Sequence, residues 1–368
     1  MKNVDYRYLF LASAAVIIYL LYHDYQESQR NVIIPMYSNA YDYPSAFGAP
    51  QRVHPMLRQH QPAHSIQLVN ANNQPITIVP HPWYQPFRWT ILPQNFCQND
   101  MKVVFVVHTA VSNKEKRAAI RDTYANMQWY KKYHIRTLFA TGRSMDRNDE
   151  QQLEAEAKFH QDIVQADFID HYRNLTIKGL SWMRFLRDHC PSVQLVVKLD
   201  DDLLPNIFGF MEDFEKNKVK TNKTFTCLLY YGNVIRDPGS PWFVSKEAMP
   251  EDQWGRYCTG TSFIMSKDLA AEIVAAVEKR LHYISVDDAF FTGPIGREIG
   301  ANYDFDTYAS KYELNDVHTE EKMMARSVYF ALYPTVAALR RMFTELEYIY
   351  KVVTDAPDHF KDYAKVQN

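Results

Sequence analysis

Between residues 102 and 279 the chain alternates two patterns. Short unbroken apolar runs, rich in β-branched side chains, occur at 102–108 (core Val-Val-Phe-Val-Val), 135–140, 163–166 and 195–198. Such runs predict strands covered on both faces. Between them lie longer segments that mix charged and apolar residues, at 115–127, 150–160 and 176–189, and these predict helices. Ser112 and Glu115 have the spacing of a capping box for the first helix. Strand and helix in alternation predict an α/β fold with a mostly parallel sheet. A helix near 205–217, strands at 225–229 and 262–265, and a helix at 269–279 are expected next. The Pro- and Gly-containing stretch 237–256 reads as loop. The segment 318–350 is helical by pattern and is expected to pack on the main domain, within a C-terminal helical extension over 317–368.

The first hundred residues look different. Residues 8–22 form an uncharged run that is mostly apolar. It is shorter than the roughly 20 residues a typical bilayer requires. It reads as a signal peptide, a short membrane anchor or a core helix. The following His-Asp-Tyr-Gln-Glu lacks small residues for cleavage, which favours the anchor. Lys2 and Arg7 precede the run, while Asp24 and Glu27 follow it, so residues 1–7 are expected in the cytosol and the rest in a lumen. Residues 23–99 are dominated by Pro, Gln, Asn, His and Tyr with poor periodicity, and read as an extended stem.

Composition narrows the function. The 368 residues are 46% hydrophobic, ample for a core, and the net charge of −2 offers no basic field for nucleic acid. Neither GxGxxG nor GxxxxGK[ST] occurs, so a dinucleotide fingerprint and a P-loop are both missing. Cys97, Cys190, Cys227 and Cys258 include no CxxC pair; in a lumen they would form two disulfides, by any of three connectivities. The densest chemistry is Lys198-Leu-Asp200-Asp201-Asp202, three carboxylates where the 195–198 strand leaves the sheet. Ligands bind at that edge of open α/β sheets. Asp200 and Asp202 fall on one side of an extended segment, which suits a divalent cation that leaves its other positions to water and phosphate. The competing reading is a solvated acidic turn.

Several separated pieces then line up. They are Arg117-Ala-Ala-Ile-Arg121-Asp-Thr123-Tyr124; Asp167-Phe-Ile-Asp170-His-Tyr172-Arg-Asn174-Leu-Thr176-Ile-Lys178; the Lys198–Asp202 stretch; Arg236 with Trp242-Phe-Val244-Ser245; Tyr257-Cys258-Thr-Gly260-Thr-Ser-Phe263; and Val286-Asp287-Asp288-Ala-Phe. Across about residues 102–300 the chain resembles the β-1,3-galactosyltransferase-like glycosyltransferases of family 31, which also holds N-acetylglucosaminyltransferases and Fringe proteins. Tyr124 stands where that family usually has Trp, Pro241 where it has Lys, Ser262 where it has Gly, and Asp287 where it commonly has Glu.

The resemblance implies a GT-A-type nucleotide-sugar-binding fold over 100–316. It also implies a UDP-sugar donor, a glycan acceptor, Mn²⁺, and a single-pass type II Golgi membrane protein anchored by 8–22. It implies Asp202 as a direct metal ligand with Asp200 beside it, and Asp201, Lys198 and Asp287 near the donor. The general base of an inverting hexosyl transfer falls on Asp288. The Asp287–Asp288 pair also reads as helix N-terminal carboxylates. Arg117 and Arg121 face the nucleotide or pair with acids of the sheet. His108 reads as a satisfied strand-end histidine. The alternatives are a non-catalytic relative that binds glycans or sugar nucleotides, and a two-metal phosphohydrolase on the same aspartates. Two N-x-Thr sequons begin at Asn174 and Asn222.

Overall fold

The computed structural model describes residues 66–69, 75–78, 88–305, 311, 322–323, 328–333 and 335–355. The 8–22 anchor and most of the stem lie outside the described residues. Among those described, no helix is long and apolar enough to cross a membrane.

The first two strands, β1 (Ile66–Val69) and β2 (Pro75–Ile78), form an antiparallel pair. The main sheet begins with β3 (Trp89–Ile91), β4 (Val103–His108), β5 (Ile135–Arg143), β6 (Ile163–Ile169) and β7 (Leu195–Asp200). After the short β8 (Leu203–Pro205), it continues with β9 (Thr224–Thr226), and after β10 (Leu229–Asn233) and β11 (Gln253–Cys258), with β12 (Ser262–Ser266) and β13 (Asn302–Asp304). The order across the eight strands is β13-β9-β12-β7-β4-β5-β6-β3. The central four, β7-β4-β5-β6, are parallel. β12 runs antiparallel to β7 and to β9, and β3 antiparallel to β6.

The apolar runs are explained by cover on both faces. Val103, Phe105 and Val107 of β4 enter one core cluster, and Val104 and Val106 the other. The first core takes Ala119 and Ile120 of α1 (Lys114–Asp122), Trp129 of α2 (Met127–Tyr133) and Leu153 of α3 (Arg147–His160). The second takes Leu180 and Trp182 of α4 (Leu175–His189). α5 (Ile207–Glu215) lies on the first core, α6 (Asp268–Val277) on the second. α7 (Asp287–Phe290), also on the second, runs on through a π-helical turn at Phe291–Ile295. The last helix, α8 (Val336–Asp355), returns to the first core with Leu339, Met342, Phe343 and Leu346.

Five expectations are corrected. The helix expected at 115–127 is two helices: α1 ends at Asp122, and Asn126 caps α2 by accepting from the Gln128 N–H. No side chain caps α1; Asn113 occupies the cap position, and its amide donates to Asp201 instead. The stem is not wholly outside the fold, because β3 joins the sheet edge. The loop 237–256 gives up its end to β11, which pairs with β10. The tail is not continuously helical either, since β14 (Phe330–Leu332) pairs with β8.

Two disulfides, Cys97–Cys190 and Cys227–Cys258, choose one of the three connectivities. The first ties the segment before β4 to the end of α4. The second ties the residue after β9 to the end of β11.

Candidate active site

The C-terminal edge of the parallel strands gathers the acids. His108 at the end of β4 lies opposite Asp200 at the end of β7. Beside them come the Asp201–Asp202 turn, the β11–β12 connection carrying Gly260, and the start of α7 with Asp287 and Asp288.

Lys198 is the hub. It is buried, and its ammonium donates to Asp200 Oδ1 at 2.6 Å and to the Gly260 carbonyl. Burial alone would lower its pKa. The Asp200, Asp287 and Asp288 carboxylates outweigh that and hold the ammonium above its usual range. Gly260 is needed for a second reason: a Cβ there would lie 2.8 Å from Asp288 Oδ2. The carboxyl of Asp288 therefore fills the space a side chain would take. Behind it, Thr292 Oγ1 donates to the Asp288 carbonyl at 2.6 Å and accepts from the Cys258 N–H at 2.8 Å.

The two acids of α7 resist ionisation. Burial pushes Asp287 up to about 6, with repulsion from Asp288 adding to it against the pull of Lys198. Burial raises Asp288 as well, against the Ala289 N–H and Lys198. Asp200 is also raised, by burial and by Asp202 and Asp287, despite its ion pair with Lys198.

The three consecutive aspartates have separate roles. Asp201 turns inward and is held by Thr109 Oγ1 at 2.7 Å, Asn113 Nδ2 at 2.7 Å and Lys116 Nζ at 2.7 Å. It fastens the loop after β4 and has little left for a ligand. Asp202 is half-buried, and among the described residues its carboxylate has no hydrogen-bond or ion-pair partner. An unpartnered carboxylate beside a second, 40% exposed one at Asp200 suits a divalent cation completed by phosphate oxygens and water. Among the described residues, no group of three or more His, Cys, Asp or Glu side chains gathers to enclose a metal. A cation held by one or two carboxylates needs no such cage.

The arginines expected at the nucleotide are placed differently. Arg117 is buried, with Nε and Nη2 each 2.8 Å from the Glu156 carboxylate and further bonds to the carbonyls of Ala110 and Val111. Arg121 bridges Glu156 and Asp162 at 2.6–2.9 Å. Burial would lower the pKa of Arg121 and raise that of Glu156, but the ion pairs reverse both. Both arginines thus pair with acids, though with Glu156 of α3 and Asp162 just before β6 rather than with acids of the sheet, and Arg117 shapes the loop after β4.

Other motif residues brace the same edge. Asp170 accepts from Thr141 Oγ1 at 2.8 Å and the Gly142 N–H at 3.0 Å and pairs with Lys178 at 2.7 Å, which also donates to the Thr109 carbonyl. Arg236 donates to the carbonyls of Val244 and Met249. Two features were missed from sequence. His108 Nε2 accepts from Trp182 Nε1 at 2.8 Å, which puts its proton on a buried Nδ1 that has no partner among the described residues. Burial, with Lys198 and Lys178 nearby, drops its pKa well below the usual value, so the ring is neutral. On the rim, Trp242 Nε1 donates to Tyr172 Oη at 2.7 Å, and both rings are about half exposed. An N–H without an acceptor signals a ligand only once burial is known.

A family model described as galactosyltransferase matches residues 115–304, just over half of the chain, including Lys198, Asp200–Asp202, Gly260, Asp287 and Asp288. The chain belongs to the galactosyltransferase family. Human beta-1,3-galactosyltransferase 5 is 31% identical over 201 residues, covering 54% of this chain and 64% of that protein. Mouse beta-1,3-galactosyltransferase 1 is 30% identical over 223 residues, covering 60% and 66%. The chain therefore aligns with less than two thirds of these relatives' lengths. Looser overlays occur with the galactosyltransferase LgtC (TM-score 0.32, 11% identity, 70% of this chain and 99% of that one) and mouse xyloside xylosyltransferase 1 (0.30, 12%, 64% and 98%). In this galactosyltransferase-family chain, the matched span brings Lys198, Asp200, Asp202, Gly260, Asp287 and Asp288 together and leaves Arg117 and Arg121 as scaffold.

Proposed function

We propose that this protein is an inverting glycosyltransferase, moving galactose or an N-acetylhexosamine from a UDP-sugar to a glycan hydroxyl in a β-1,3 linkage. The observation that carries the reading is the arrangement around Lys198. On one side stand Asp200 and the unpartnered Asp202, on the other a buried carboxyl pair of raised pKa. Membership of the galactosyltransferase family supports glycosyl transfer, and the names of the aligned relatives support galactose and the β-1,3 link.

Asp202 and Asp200 would hold Mn²⁺, which when bound offsets the negative charge that develops on the departing diphosphate. Asp288 accepts the proton of the attacking acceptor hydroxyl as the new glycosidic bond forms. Burial, with repulsion from Asp200, keeps its affinity for a proton high. Lys198 supplies the compensating charge and ties both sides together through Asp200 and Gly260. Tyr172 and Trp242 give the acceptor glycan a flat apolar rim.

A base must be ionised to work, so activity falls as pH drops through its pKa. The acid limb of kcat/KM is expected above the range where unperturbed carboxylates titrate, because burial raises Asp288. A limb at the ordinary carboxylate position in the unaltered enzyme would contradict the raised pair.

The two disulfides suit an oxidising compartment. They support a lumenal catalytic domain, which with the 8–22 run gives a type II Golgi membrane protein. Calorimetry of UDP with and without Mn²⁺ tests the binding half of the proposal. UDP affinity should rise with Mn²⁺, and Asp202→Asn should remove that gain. Equal binding with and without metal would count against Asp202 as the ligand.

A further inference from the structure

We infer that Asn222 carries an N-linked oligosaccharide and that Asn174, which begins the other sequon, does not. The inference rests on the lumenal placement proposed above and is independent of the donor sugar.

Sheet topology puts the two asparagines at opposite ends of the molecule. β7 runs towards Asp200, and β12 is antiparallel to it, with Ser266 opposite Leu195. β9 is antiparallel to β12, with Phe225 opposite Met265. The start of β9 therefore lies level with the start of β7, at the edge away from the acids. Asn222 lies two residues before that start. Asn174 instead follows the end of β6, at the same edge as Asp200. Its neighbour Tyr172 is close enough to Asp287, Asp288 and Asp200 for their charges to raise its pKa, after burial as the larger cause.

Local structure sharpens the difference. Asn222 is exposed, and its amide has no partner among the described residues. The backbone beneath it is pinned: the Lys223 N–H donates to Asp268 at 2.9 Å, the Thr224 N–H to Ser266 Oγ at 2.9 Å, and Thr224 Oγ1 to the Asn222 carbonyl at 2.7 Å. The side chain thus points its amide to solvent from a fixed base. Asn174 is half-buried, and its Nδ2 donates to the Ile169 carbonyl at 2.9 Å. Thr176 is fully buried within α4 and Thr224 is buried too, so the difference between the two sequons lies in their asparagines. A glycan on Asn174 would stand on the rim formed by Tyr172 and Trp242 and crowd the acceptor.

A glycan at Asn222 also has a place to act. The Asn302 N–H donates to the Lys223 carbonyl at 2.7 Å, so the sequon lies against β13, the outermost strand of the sheet. An open edge strand is a template for pairing with other chains, and a bulky hydrophilic group beside it blocks that. In the modification, Asn222 Nδ2 displaces the diphosphate of a polyprenyl-diphosphate-linked oligosaccharide. The N–C bond to the anomeric carbon forms, the C–O bond to the diphosphate breaks, and an amide proton is released.

The test uses the full chain expressed in animal cells. Peptide-N-glycosidase in ¹⁸O-water converts a glycosylated Asn into a heavy-oxygen Asp, which mass spectrometry locates. The label is expected at residue 222 and not at residue 174. Asn222→Gln should lose the glycosidase-sensitive mobility step, and Thr224→Ser, which keeps the sequon, should retain it. Thiol alkylation reports the compartment independently, since lumenal chains have no free cysteine. Label at 174 in place of 222, a step that survives Asn222→Gln, or an unmodified Asn222 in chains with all cysteines paired overturns the inference while lumenal placement stands. Unmodified chains with free cysteines overturn the placement, and the inference with it.

Discussion

Asp288→Asn is expected to lower sugar transfer by about 10²–10⁴-fold, the usual contribution of a positioned acid or base. Asparagine keeps the size of the side chain and its fit against Gly260, where a Cβ would come 2.8 Å from Oδ2. Only the ability to take a proton is lost. UDP affinity should stay unchanged, because the carboxylates assigned to the metal, Asp200 and Asp202, belong to a different element. Steady-state transfer rates beside UDP calorimetry separate the two effects. Transfer at the normal rate would remove Asp288 from the role of base.

Arg117→Ala is expected to destabilise the fold by about 3–5 kcal/mol, the cost of leaving one partner of a buried pair alone. Glu156 would keep only Arg121, and the carbonyls of Ala110 and Val111 would lose their donor. Denaturant unfolding of the purified variant measures this through a lower midpoint. An unchanged midpoint with weakened UDP binding would return Arg117 to the nucleotide, one of the two roles the motif left open. The two outcomes are distinct because the guanidinium is buried and engaged on both of its edges.

That contrast shows where sequence reading reaches its limit. The parallel core was legible because strands covered on both faces read as continuous apolar runs. β4 and β7 were expected within a residue or two of their observed bounds. The grouping of Asp200, Asp202, Asp287 and Asp288 was expected only through the resemblance to the family. Partner choice was not. Arg117 lies one turn from Arg121, and the spacing serves an anion in the cleft as well as it serves Glu156. Asp201 looks equal to its neighbours until Thr109, Asn113 and Lys116 are seen around it. Asn113 also explains the failed capping box, since its amide is drawn to Asp201 over a separation no local pattern records. The strand β14 was hidden because three residues pairing with β8 leave no periodic trace. His108 was set aside because an unsatisfied ring nitrogen is a property of its surroundings.

The most direct test of glycosyl transfer at this cleft is turnover by the purified full chain. UDP-galactose, UDP-N-acetylglucosamine and UDP-N-acetylgalactosamine would each be offered with a mixed glycan acceptor library and Mn²⁺, with NMR of the product's anomeric centre. The proposed function predicts UDP release with one of these donors, loss of release on chelation, and a β-linked product. An α-linked product, or no transfer from any donor by protein that binds UDP and Mn²⁺ and is supplied with acceptor, would contradict it.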